Sequence, residues 1–231
     1  MHALFFKELR DNRSLFLAVL VLLGGIAATP NHYAQVWAGV SSFLLVPVLC
    51  CHLGSRMLHA ETQDDQLEML LTLPVSRGRI WLAKTAAGGL LTAVITGLSM
   101  LAQHFSMRYG MRANELSVFG ASVFVLFALG GFFSMVWQRG QGATFSAFGA
   151  YVVGFTGTNI LRDSLTSDRR CSIEALGAFV WASVVITLAA SYYTFTRADL
   201  LDARDRKRTA LSAGLVGLVA VLAIFFGYCM P

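Results

Sequence analysis

The residues with chemistry to offer are few and scattered. Lys84 stands at the start of a long apolar run, where an amine pairs helices, meets a substrate or, most simply, snorkels to the interface. Asn159, with Thr156 and Thr158, places polar groups inside another run, where such groups line a cavity or bond neighbouring helices. His52, His59 and His104 fall near run ends at separate depths, without the spacing of a metal-ligand set, so no metal site is expected. The adjacent Cys50 and Cys51 sit in an apolar run, and with no C-x-x-C in the chain they read as packing residues. No serine–histidine–acid set and no paired carboxylates are readable. A G-x-x-x-x-G-K-[ST] phosphate loop is missing too, so the chain offers no catalytic residues and no cofactor site of its own.

The elements that carry these residues are set by hydropathy. Of 231 residues 56% are apolar and 13% charged, about half the usual share of charge in soluble domains. Lipid is therefore the expected solvent, and residues 1–231 read as one all-α integral membrane domain. The net charge of +5 comes from basic residues clustered beside apolar runs. It reflects topology rather than nucleic acid, for which no motif is present.

A spanning helix needs about 20 apolar residues. Charge-free runs occur at 14–29, 33–55, 85–107 (with Lys84 at its start), 116–137, 140–161, 175–196 and 209–231, the last a seventh, C-terminal span. Residues 1–13, with Phe5, Phe6 and Leu9 on one helical face and Lys7, Arg10 and Asp11 away from it, form an amphipathic interface helix. Their acidic residues set this region apart from a signal peptide, so the first run is expected to be a retained span. With the N-terminus in the cytoplasm, thirteen Lys and Arg fall inside and five outside, as the positive-inside rule asks. Trp37, Trp81, Trp137, Tyr192, Tyr193 and Tyr228 then mark the interfaces.

In the fifth run Gly142, Ser146, Ala150 and Gly154 recur every fourth residue, a ridge that permits close helix approach within one subunit or between two. The extracytoplasmic loop 162–174 carries Cys171, on the same side as Cys229; a disulfide between them depends on a distance the sequence does not set.

Residues 61–74 interrupt the greasy pattern. Thr62 is a candidate N-cap with Asp65 as its reciprocal partner, and Asp64 and Asp65 occupy the favoured first turn. Leu67, Leu70 and Leu71 form an i, i+3, i+4 stripe, and Pro74 ends the helix. Such a helix either lies on the membrane or docks into a cytosolic partner. Glu61, Asp64, Asp65 and Glu68 would be repelled by an anionic inner leaflet, which favours docking.

The segment E-T-x-x-x-x-L-E-M-L-L-T-L-P-V-S-R, followed by I-W-L-A-K, resembles the coupling-helix signature of type-2 ABC export permeases. The residues that carry the resemblance are Glu61, Leu67, Glu68, Leu70, Leu71, Pro74, Val75, Ser76, Arg77 and Lys84. FFKELRDNRSLF is similar to the family's elbow helix, and YYTFTRADL to the end of its sixth span. Two departures stand out. Asp64, Asp65 and Gln66 replace the usual glycine–threonine pair, and a seventh span follows where six are usual.

The resemblance implies a six-helix exporter domain with elbow and coupling helices. It implies a second permease copy or homologous permease as partner, and a separate cytosolic ABC ATPase that binds ATP and Mg. Glu61, Leu67, Glu68, Leu70, Leu71, Pro74 and Arg77 would form the ATPase contact, in a bacterial inner membrane. A mechanotransmitting subunit that moves nothing itself and the haem-exporter membrane subunit are near alternatives. A secondary transporter or channel is the alternative from another class, but it would show intramembrane acids or internal repeats, and neither is apparent.

Overall fold

The computed structural model describes residues 2–14, 17, 19, 21, 45–62, 75–106, 113–137, 141–152, 173–198 and 202–229, nearly all of them helical. In chain order the helices are α1 (His2–Asp11), α2 (Val46–Thr62), α3 (Arg77–Ser106), α4 (Ala113–Val136), α5 (141–152), α6 (Ile173–Arg197) and α7 (Ala203–Cys229). Among the described residues four stretches are long and apolar enough to cross a membrane: Arg77–Leu101, Val118–Val136, Gly177–Arg197 and Arg204–Ile224. Residues 209–229 of the C-terminal run thus belong to a continuous helix of spanning length.

The central helix is α4, which packs on α2, α3, α6 and α7. Its composition explains the position, since it is apolar all round, as a helix surrounded by others must be. The tightest crossing is α2 on α4. A Cβ at Gly54 would collide with the Phe127 carbonyl, and one at Gly130 with the Cys51 carbonyl, so both helices need glycine for their backbones to approach. Cys50, Leu53, Ala87, Leu91, Ile95, Val123 and Phe127 join α2, α3 and α4 in one apolar cluster.

Gly54, Thr85, Gly131 and Ser191 line one small cleft and so share a level across α2, α3, α4 and α6. It follows that α2, α4 and α6 run towards one end of the bundle, and α3 and α7 start from it. Arg77, Arg79, Arg197, Arg204, Lys207 and Arg208 gather at that end, beside the exposed Trp137, Tyr192 and Tyr193.

Helix α1 packs against α3, with Phe5 and Leu9 on the shared cluster. Phe6, grouped with them by helical spacing, faces outward and touches the Phe5 ring edge-on. A stripe that includes Phe6 is broader than the contact one neighbouring helix makes.

Several sequence expectations change. Thr62 is no N-cap but the last residue of α2, because nothing between Ser55 and Thr62 breaks the helix. Trp81 faces neighbouring helices and is only 7% exposed, and Lys84 does not snorkel but is 1% exposed. Both lie on α3 faces enclosed by neighbouring helices, a placement hydropathy cannot foresee.

Candidate functional site

The site is the junction where α3 begins and α6 ends. Ser76 precedes α3, and its carbonyl accepts the first helical bonds, from the Arg79 amide at 2.9 Å and the Ile80 amide at 3.2 Å. The next residue, Arg77, reaches sideways. Its Nη1 donates to the Ala198 carbonyl at 3.0 Å. Ala198 closes the last turn of α6, where carbonyls lack helical partners and a cation is favoured by the helix dipole. A charge-assisted bond there is stronger than a neutral one.

One turn on, the buried Trp81 donates from Nε1 to Ser191 Oγ at 3.2 Å, and its ring meets Tyr192 edge-on at 5.2 Å. A buried indole N–H needs such a partner. Gly78 makes room, since a Cβ there would lie 2.8 Å from the Tyr192 hydroxyl oxygen. Ile80, Trp81, Met135, Phe195 and Ala198 seal the junction with an apolar cluster, flanked by Val75 and Leu188. Thus the two segments singled out in the sequence, V-S-R…I-W and Y-Y-T-F-T-R-A, meet each other: residues 75–81 clamp residues 191–198.

On the other side of residues 63–74, α2 is held as firmly. Beyond the glycine crossing, Ser55 Oγ and Thr144 Oγ1 share a hydrogen bond of 2.9 Å, and the Cys51 thiol donates to the Thr144 carbonyl at 3.5 Å. The chain entering that segment is therefore fixed to α4 and α5, and the chain leaving it to α6. Helix α2 continues from Ser55 to Thr62, a rise of about 10 Å.

The remaining candidates divide. Leu67, Glu68, Leu70, Leu71, Pro74, Gly154 and Asn159 lie outside the described residues, as do Cys171 and most of the 162–174 loop. Glu61 is described only as main chain in the last turn of α2. In α5 the fully buried residues are Ala143 and Ala147; Gly142 and Ser146 are half-buried and Ala150 is exposed. Gly142 instead lies against the Trp137 ring.

A polar stripe on α3 escaped the sequence reading. Thr85, Thr92, Thr96 and Ser99 follow i, i+7, i+11, i+14 spacing and face one way, with Thr92, Thr96 and Ser99 buried. The Thr92 and Thr96 hydroxyls lie beside the Cys50 thiol and make no conventional hydrogen bond among the described residues. By contrast, Ser122, Ser134, Ser183, Thr187 and Thr194 bond carbonyls of their own helices. Helical spacing of the threonines was the available signal.

Residues 14–138 match the family model described as ABC-2 family transporter protein. The chain belongs to the ABC-2 transporter family. A search of curated proteins finds no match. The matched region of this ABC-2 permease includes 61–74, Arg77, Trp81 and Lys84, while Ser191 and Ala198, which the clamp grips, lie beyond it. As a multi-pass membrane component of an ABC transporter, the chain uses this junction to tie the matched half to the rest of the bundle.

Proposed function

We propose that this chain is the membrane-spanning permease subunit of an ATP-driven exporter, with its N-terminus in the cytoplasm of a bacterial inner membrane. A separate ABC ATPase, which holds the ATP and Mg, presses on the segment 61–74 through Leu67, Leu70 and Leu71, with Glu61 and Glu68 at its edges. A second permease copy or homologous permease completes the pathway. The substrate is moved by a two-state rigid-body shift of helices.

One observation carries this reading. The chain leaves the proposed contact through α3, whose first turns are fixed to the last turn of α6 by Arg77 to Ala198 at 3.0 Å and Trp81 to Ser191 at 3.2 Å. A push on 61–74 therefore moves helices in pairs, α2 with α4 and α3 with α6, instead of bending one loop. The basic residues gathered at this end favour its cytoplasmic placement.

The test is Leu70→Asp in the purified complex. The expected result is normal membrane insertion with ATP hydrolysis uncoupled from transport. Normal assembly with fully coupled hydrolysis would overturn the reading.

A further inference from the structure

Helix α7 has two unlike faces. Arg206, Ala210 and Ala213 are buried, with Gly214 against the Phe132 ring and Gly217 against Ile186. The opposite face begins with Arg204, Lys207 and Arg208, spaced i, i+3, i+4 and all exposed. The same stripe continues one turn at a time through Leu211, Leu215 and Leu218, which are 67%, 64% and 55% exposed. Three cations thus stand at the foot of a bare apolar track on one continuous helix.

Among the described residues, local acids do not cancel the charge. Asp202 spends its carboxylate capping the helix, accepting the Arg204 amide at 2.8 Å, and Asp205 lies off the stripe. Tyr192, Tyr193 and Trp137 are exposed at this end of the bundle, the level at which aromatic side chains meet headgroups.

We propose that this face of α7 is a seat for an anionic phospholipid. Arg204, Lys207 and Arg208 hold the phosphate headgroup, and Leu211, Leu215 and Leu218 lie along its acyl chains. The order of the stripe carries the argument, because cations followed by about 10 Å of leucine match an amphiphile standing in a leaflet. An acidic protein surface would match the cations and leave the leucines unexplained. The seat does not depend on the ATPase partner or on the role of residues 61–74.

The full permease is reconstituted in nanodiscs of phosphatidylcholine with a minority of phosphatidylglycerol, and retained lipid is quantified after extraction into detergent. Wild type should retain phosphatidylglycerol above its share of the bilayer. R204Q/K207Q/R208Q should weaken the affinity for phosphatidylglycerol roughly a hundredfold, which brings retention down to the bilayer share, and R208Q alone should weaken the affinity about fivefold. K7Q/R10Q/R13Q, which removes three exposed charges from the N-terminal region, should leave it unchanged. Equal melting temperatures in pure phosphatidylcholine separate loss of the seat from loss of fold. The proposal is overturned if wild type shows no enrichment or if the N-terminal control loses as much. It is equally overturned if a Leu215→Cys protein cross-links through that position efficiently to a second copy or to another protein.

Discussion

Gly54 on α2 and Gly130 on α4 occupy reciprocal positions: each lies against the other helix's main chain, at the carbonyls of Phe127 and Cys51. A backbone obstacle cannot rotate aside as a side chain can. Valine at either glycine should therefore force the helices apart and cost about 1–3 kcal/mol or more. Gly214→Ala should be milder, because its neighbour is the Phe132 ring. Thermal unfolding in detergent ranks the three; a Gly130→Val protein that melts like wild type would refute the crossing.

Arg77 supplies its bond to Ala198 through a guanidinium nitrogen. Arg77→Ala should destabilise the α3–α6 junction by about 1.5–3 kcal/mol, the range for hydrogen bonds to charged groups. Arg77→Lys should recover only part, since an ammonium on a shorter stem lacks the planar fork. Hydrogen exchange at the last turn of α6 reads the effect locally, and unchanged protection there in Arg77→Ala would count against the bond.

Trp81 and Ser191 form a buried pair. Trp81→Phe keeps a ring near Tyr192 and removes the donor; Ser191→Ala removes the acceptor. A double-mutant cycle should return a coupling of about 1 kcal/mol in melting experiments. A coupling of zero would mean that the two groups do not bond in the folded permease.

Lys7, Lys84 and Lys207 are the chain's lysines. Lys7 and Lys207 are exposed and Lys84 is 1% exposed. A water-soluble amine-reactive reagent should modify the first two readily and Lys84 at least tenfold more slowly, the difference vanishing on denaturation. Rapid labelling of Lys84 in the folded complex would return it to the interface, where snorkelling lysines sit.

Runs of hydropathy made the spanning character of α3, α4, α6 and α7 legible, because lipid imposes a length of apolar sequence. The R-G-R-I-W-L-A-K and Y-Y-T-F-T-R-A-D-L segments were legible as separate marks. Their contact was not, since nothing local in either says which helix it will touch. Trp81 shows the limit: an aromatic at the start of an apolar run reads as lipid-facing unless a neighbour covers it. Small residues posed the same ambiguity. The regular spacing of Gly142, Ser146 and Ala150 drew attention, while the isolated Gly54 and the Gly130–Gly131 pair made the closest approach. The N-cap expected at Thr62 failed because a helix can outlast its apolar run when no glycine or proline stops it.

The bond from Arg77 ends on a main-chain oxygen, which every residue type carries. Position 198 is consequently free to vary in chemistry but not in bulk, for Ala198 is wholly enclosed. Across diverging relatives this contact should look one-sided, a steady arginine facing a site that drifts among small residues. Methods that search for paired changes between positions would therefore pass over it.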